Sequence, residues 1–373
     1  MPFKRARFAS FRNLEDGELG VDAERIFLIG ENGQGKTNFL EALYYLCYGA
    51  SFRGLVDSQI PAAGNPGFGL SGQWSGSGDL PDEEISVRVE GTAKDIRLNG
   101  KPLKDRKELV FHNPAVVFCH EDFSFAAGDP ERRRFFFDQC AGMLSLAYID
   151  ALRSYKRVLK QRNAALKESA HDLLDALDPQ FVGYGLRLMT ARKALHARFQ
   201  AEFPDLYESV ALLGRKVDLT YASSWPQDAS IEAILELLGA RRESEIILGT
   251  TRTGPHRDRW NFASGGELFT EKASTGQLRL VSLILRIIQS RAYADQAAKS
   301  PSAPQWPVLL LDDVLLELDV GRRRRFLELL PGPGSGAQAF FTFLPEEPWT
   351  EYENGATIVY KVSHGRFQNQ ERL

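Results

Sequence analysis

The 373-residue chain has no run of eighteen apolar residues, only three cysteines and no excess of positive charge. Each lack excludes a class of protein. Without a long apolar run, no segment reads as a transmembrane helix. The N-terminus, MPFKRARFASFRNLEDGELG, is basic but has no apolar core behind it, so it is not read as a secretory signal. Cys47, Cys119 and Cys140 form no CxxC pair and stand among apolar or aromatic neighbours. They read as buried thiols of a reducing compartment, not as disulfides or metal ligands. A cytoplasmic location is expected. A net charge of −3 argues against a generally basic nucleic-acid binder. What remains, with 43% apolar and 25% charged residues, is a globular chain of two-domain size.

Charge is unevenly distributed. From Glu131 to Gln200 there are 13 Lys or Arg and 7 Asp or Glu, a local balance of +6, so the rest of the chain carries −9. A positive module on an acidic body is either a footprint for a polyanion or a solvated helical face. Charge alone does not choose between them.

The strongest local signal is RIFLIGENGQGKTNFLEALYYLCYG. Ile26 to Ile29 form a short apolar run of the buried-strand type, and Phe39, Leu40, Leu43, Leu46 and Cys47 repeat at helical spacing. Between them lies G-x-x-x-x-G-K-T, in the strand–loop–helix context this motif requires. The expected ATP-binding stretch is Gly30, Glu31, Asn32, Gly33, Gln34, Gly35, Lys36, Thr37 and Asn38. Its glycines let successive N–H groups turn toward an anion, and the helix start adds its positive dipole end. Lys36 can reach the β- and γ-phosphates, and the Thr37 hydroxyl can ligate Mg²⁺.

Near the other end, PVLLLDDV reads as a buried parallel strand, Val308 to Leu311, with acids at its C-terminal edge. Asp312 is expected to hold Mg²⁺ opposite Thr37, and Asp313 to orient or deprotonate the attacking water. AQAFFTFLP supplies a further central strand. A third motif, KASTGQLRLVSLILRIIQS, begins a helix apolar nearly all round and therefore buried. Ser274 and Thr275 stand where an N-cap belongs, and Gly276 leaves the backbone open to close approach. Ser274 therefore either presents a hydroxyl to an anion or merely caps a core helix.

The expected organisation is α/β, with residues 1–120 and 251–373 forming the nucleotide-binding body. Residues 121–250 form an inserted, mainly helical module, with Pro179 and Pro204 punctuating its helices, which are too short for a long coiled coil. EISVRVEG and KDIRLNGKPL read as a hairpin, with Asn99-Gly100 as a tight turn. PAAGNPGFGLSGQWSGSGDLPDEE reads as a surface region without a core of its own.

GENGQGKTNFLEALYYL, GPHRD, ASTGQLR and PVLLLDDVLLELDVGRRRRFLELL, in this order, resemble the RecF family of bacterial recombinational-repair ATPases, and FCHEDFSFAAGDPERRRFFFDQ fits the same family. The likeness covers nearly the entire chain. It implies an ABC-type ATPase head of the P-loop NTPase class, similar to SMC heads but without their long coiled coils. By that resemblance Ser274, Gly276 and Gln277 fall on the ABC signature, which completes the ATP site of a second subunit, and Asp319 on the loop that crosses the dimer interface. The phosphate loop is then half a site. ATP closes a homodimer on gapped or junction DNA, and slow, DNA-stimulated hydrolysis releases it. RecR and RecO are the implied partners and RecA loading the outcome. The chain departs from the family's usual patterns at His120, Leu278 and Arg259.

Arg153, Lys156, Arg157 and Lys160 occupy successive turns of one predicted helix and are the candidate DNA contacts. Two other classes fit less well. A transporter-type or other ABC subunit agrees poorly with the basic insert and with GPHRD. A metabolic P-loop kinase has no use for the Ser274–Gln277 signature.

Overall fold

The computed structural model describes residues 2–76, 81–226, 228–299, 306–316, 318–353 and 356–370. The chain condenses into two compact units, residues 1–121 with 289–373, and residues 122–288.

The first unit holds two six-stranded sheets. One runs in the order Arg366–Asn369, Thr357–Ser363, Arg25–Ile29, Ala339–Phe343, Val308–Leu311, Ala115–Phe118. Its inner pairings are all parallel, and only the Thr357–Ser363/Arg366–Asn369 edge hairpin is antiparallel. The continuous apolar runs of the inner strands suit burial on both faces. The second sheet is antiparallel, in the order Gly17–Gly20, Phe3–Ala9, Gly67–Trp74, Glu83–Glu90, Ala93–Leu98, Lys101–Pro102. The Lys36–Tyr48 helix lies between the sheets. Its Phe39, Leu40, Leu43 and Leu46 share one core with Phe3, Phe68 and Ile85 of the antiparallel sheet and with Ile26, Leu310 and Phe340 of the parallel one. Each such buried side chain contributes roughly 1.5–3 kcal/mol, so the helix is fixed against both layers.

Two expectations change here. The Gly/Pro-rich segment has a core after all, because Gly67–Trp74 is a central strand with Phe68, Leu70 and Trp74 buried. Glycine at positions 67, 69 and 72 conceals the pattern. A Cβ at Gly72 would meet the rings and methyls of Phe3 and Leu46 at under 3 Å, so that position is small because its neighbours fill it. The hairpin pairs Glu83–Glu90 with Ala93–Leu98, but Asn99-Gly100 closes the next one, Ala93–Leu98 onto Lys101–Pro102. Both turn residues have positive φ, as a two-residue hairpin turn requires.

The second unit contains helices Pro130–Leu144, Leu146–Lys167, His171–Ala211 and Ile231–Leu248, the start of Thr275–Ala297, and a three-stranded antiparallel sheet of Glu267–Leu268, Arg259–Ser264 and Asp218–Ala222. Pro179 and Pro204 do not divide its helices. Both lie inside one 41-residue helix. An interior proline costs about 3 kcal/mol. Phe181 and Val182 beside the first, and Phe203 and Tyr207 beside the second, are fully buried and offset that cost. The second boundary also differs from the expected 250/251. Residues 251–288 group with the helices, because the Arg259–Ser264 strand pairs with Asp218–Ala222 and Thr251 is bonded to Arg162 and Asn163.

Candidate nucleotide site

The phosphate loop leaves the central Arg25–Ile29 strand and enters the Lys36–Tyr48 helix. Gly33 and Gly35 have φ of 78° and 116°, a region that side chains rarely adopt. No side chain caps the helix at Gly35 among the described residues, so its first-turn N–H groups face the loop without helical partners. Lys36 is buried and donates to the carbonyl of Gly30 and, at 3.1 Å, to that of Glu31. Burial lowers its pKa, while the charges of Asp313, Asp312, Glu31 and Glu347 work the other way.

Parallel pairing sets the ends of Arg25–Ile29, Ala339–Phe343 and Val308–Leu311 at one sheet edge, which brings Asp312 to the loop. Thr37 Oγ1 donates to Asp312 Oδ1 at 2.9 Å. Burial, then the neighbouring Asp313 charge, pushes the Asp312 carboxyl up to about 6 against the hydrogen bonds from Thr37 and Thr342. Asp313 adopts φ 50°; its N–H donates to Thr342 Oγ1 at 2.7 Å and its Oδ1 accepts from that hydroxyl at 2.8 Å. A hydroxyl and a carboxylate are the hard oxygen donors Mg²⁺ prefers, with phosphates and water completing its shell. Among the described residues, no group of three or more His, Cys, Asp or Glu forms a metal cage.

Several residues of the site carry no sequence signal. Thr342 fixes Asp313 and lies inside an all-apolar-looking strand. Glu347 accepts from the Leu344 N–H at 2.7 Å, and its Oε1 is buried without a partner among the described residues. Asn13 binds the carbonyl of Gly33 at 2.9 Å and accepts from Asn38 at 2.7 Å, bracing the outer flank of the loop. The Gln34 side chain accepts from the His364 N–H at 2.6 Å. Beside these lies a groove of about 770 Å³ lined by Arg12, Asn13, His364 and Arg366. No short motif marks such contacts, and that of Gln34 with His364 joins positions 330 residues apart.

Lys36, Thr37, Asp312 and Asp313 thus converge within the first unit. Ser274, Gly276 and Gln277 belong to the second. There Ser274 N–H donates to Gln277 Oε1 at 2.8 Å and Gln277 N–H to Ser274 Oγ at 3.3 Å, a reciprocal capping box. Ser274 and Thr275 are nevertheless exposed. Asp319, in the first unit, caps the Val320–Leu327 helix by accepting from Arg322 N–H at 2.9 Å; its neighbours Leu316 and Val320 expose apolar side chains. Glu317 lies outside the described residues. Arg153, Lys156, Arg157 and Lys160 are all exposed on the Leu146–Lys167 helix. Arg162 and Arg192, counted in the local excess, are buried against Asp178, Glu245, Asp138 and Asp258 and add nothing to the surface field.

A family model described as "AAA domain, putative AbiEii toxin, Type IV TA system" matches residues 25–342. The DNA replication and repair protein RecF of Treponema pallidum (strain Nichols) is 38% identical over 358 residues, 95% of this chain and 98% of that protein. The chain belongs to the RecF family of DNA replication and repair ATPases. The RecF of Geobacter sulfurreducens is 31% identical, over 87% of this chain and 88% of its own. Among solved structures, the recombination mediator protein RecF with ATP, from the RecFOR pathway, superposes with a TM-score of 0.86 at 26% identity, over 99% of this chain and 97% of that one. An SMC head bound to the C-terminal winged-helix domain of ScpA gives 0.58 at 13% identity, over 99% and 97%, and shares the fold alone. The P-loop ATPase fold of RecF and SMC heads is therefore the fold of this chain. Among the described residues, no helix is long and apolar enough to cross a membrane.

Proposed function

We propose that this chain is an ATP switch for DNA repair: ATP closes a head-to-tail homodimer on gapped or junction DNA, and slow, DNA-stimulated hydrolysis releases it. The observation that carries the reading is the Thr37–Asp312 hydrogen bond, which joins the end of the phosphate loop to the acid strand. With the loop N–H groups and Lys36 facing the phosphates, these two oxygens are the donors for Mg²⁺. The metal would neutralise charge on the β- and γ-phosphates. Asp313, held by Thr342, is the carboxylate that orients the water.

The rest of the reading follows from how incomplete this half-site is. On this reading a donor to the second side of the γ-phosphate comes from outside the half-site. The helix start of Ser274, Gly276 and Gln277, exposed at Ser274, is a group of that kind, supplied by a partner copy. Asp319 would lie along the same dimer contact. A solved relative's assignment to the RecFOR pathway supports RecR and RecO as partners, with RecA loading as the outcome. DNA contacts fall to Arg153, Lys156, Arg157 and Lys160, where phosphates would be met without base readout. The chain works in the cytoplasm.

Fluorescence anisotropy with a labelled gapped duplex tests this. Affinity should require ATP and Mg²⁺ and fall steeply with salt. Reversing all four charges should weaken DNA binding and leave ATP affinity intact. Equal binding by the four-fold variant at several salt concentrations reduces this helix to a solvated face.

A further inference from the structure

The TGPHRD segment, Thr253 to Asp258, is a motif of the sequence for which the nucleotide site has no use. In the structure it is a loop with two sides, beginning at Thr251. The buried side, Thr251, Thr253, Pro255 and Asp258, is bonded in every direction. Thr251 gives its N–H and hydroxyl to Asn163 at 2.9 and 2.7 Å and accepts from Arg162 at 2.7 Å. Asp258 accepts from Arg192, Tyr221 and the Ser224 N–H at 2.8, 2.6 and 2.9 Å. His256 joins the Tyr155 hydroxyl at 2.7 Å and the Thr251 carbonyl at 3.1 Å. A carbonyl only accepts, so Nε2 carries the proton and Tyr155 donates to Nδ1. Burial lowers the His256 pKa to about 4, so the ring is neutral near pH 7. At Gly254, φ is 128° and a Cβ would stand 2.8 Å from the Tyr155 hydroxyl.

The outer side is cationic. Arg252 and Arg257 are exposed. Arg252 is held through its backbone N–H, 2.6 Å from Glu245 Oε1, and Arg257 through a 3.3 Å bond to the Thr251 carbonyl. Tyr155 and Asn163 fasten this loop along the Leu146–Lys167 helix. Lys156, Lys160, Asn163 and Lys167 form one ridge at i, i+4, i+7 and i+11. Lys167 packs beside Gly249, two residues before the loop begins. The acids that anchor the loop, Asp178, Glu245 and Asp258, face inward and are neutralised by Arg162 and Arg192. No carboxylate pairs with Lys156, Lys160, Lys167, Arg252 or Arg257 among the described residues.

We propose that the Thr251–Asp258 loop is a rigid wall of the DNA-backbone surface, in which Arg252 and Arg257 extend the lysine ridge. This rests on the DNA reading above. A loop fixed by buried ion pairs displays its guanidinium groups with little ordering left to be done on binding. Such contacts position phosphates and carry no base preference.

The test uses the full chain with ATP and Mg²⁺, a gapped duplex and a blunt duplex, and the double variants Arg252→Ala/Arg257→Ala and Arg252→Lys/Arg257→Lys. The alanine variant should lose about tenfold or more in affinity near 0.15 M salt, and its slope of log affinity against log salt should fall by about 2. The lysine variant should keep the wild-type slope, because phosphate contacts need the charge. ATP affinity and melting temperature should be unchanged in both, since the anchors of the loop remain. Wild-type affinity and slope in the alanine variant overturns the inference, as does a lysine variant as weak as the alanine one. Wild-type protein that binds neither duplex overturns the DNA reading itself, which is a separate result.

Discussion

Thr37 and Asp312, 275 positions apart in the sequence, are joined by a hydrogen bond of 2.9 Å from hydroxyl to carboxylate. The bond sits where burial and Asp313 oppose ionisation of Asp312 and push its carboxyl up to about 6. Its unfolded value is about 3.9. A raised carboxylate stabilises the fold fully below the unfolded pKa, and that contribution is lost as pH rises through the folded pKa. The nucleotide-free protein should therefore lose stability relative to Asp312→Asn between pH ~4 and pH ~6, by up to ~3 kcal/mol. Denaturant melts of the two proteins across this range check it. Parallel pH profiles would mean that Asp312 is not desolvated.

On the proposed reading Asp312 and Asp313 have separable tasks. Asp313→Asn should retain ATP affinity and lose turnover, accumulating an ATP-bound dimer, because its hydrogen bond with Thr342 survives but the basic oxygen does not. Asp312→Asn should weaken binding only when Mg²⁺ is present. Titration calorimetry with and without the metal, beside a phosphate-release assay, separates these outcomes; normal hydrolysis by both variants would show the pair to be misassigned.

The second unit is pinned by Arg192, buried between Asp138 and Asp258 and bonded to the Pro255 carbonyl at 2.6 Å. Arg192→Met would leave two carboxylates buried without their cation, which costs roughly 3–5 kcal/mol. Thermal melting should show the loss. A melting temperature within a degree or so of wild type would mean that water or a rearranged Arg134 satisfies the acids.

The local parts of the phosphate loop and the acid strand are legible in the sequence. The Ile26–Ile29 strand, the glycine loop and the Phe39–Cys47 stripe follow one another in register, so their geometry can be read from residue spacing alone. Val308–Leu311 ending in Asp312 is equally plain. Asn13, Thr342 and Glu347 are not legible, because the sheet brings them to the loop from segments with no shared spacing. The Gly67–Trp74 strand is hidden by small residues that pack against bulky neighbours. Pro179 and Pro204 mislead for the opposite reason: a local rule is outweighed by the apolar stripe of Phe181, Val182, Phe203 and Tyr207. The +6 balance of residues 131–200 survives burial, since Arg162 and Arg192 face inward together with Asp178 and Asp138 of the same stretch.

The central claim is that two half-sites combine in trans, and Ser274 permits a direct test. Ser274→Asp keeps a good N-cap, so the Thr275–Ala297 helix should remain capped, but it places a negative charge where a partner's γ-phosphate would have to lie. Lys36→Met removes the phosphate ligand on the other side. Sedimentation velocity with and without ATP and Mg²⁺ should give an ATP-dependent dimer for wild type and a monomer for both variants. ATP affinity should be lost in Lys36→Met and unchanged in Ser274→Asp. A Ser274→Asp protein that dimerises with ATP as wild type does would contradict the composite site and leave Ser274 as a helix cap only.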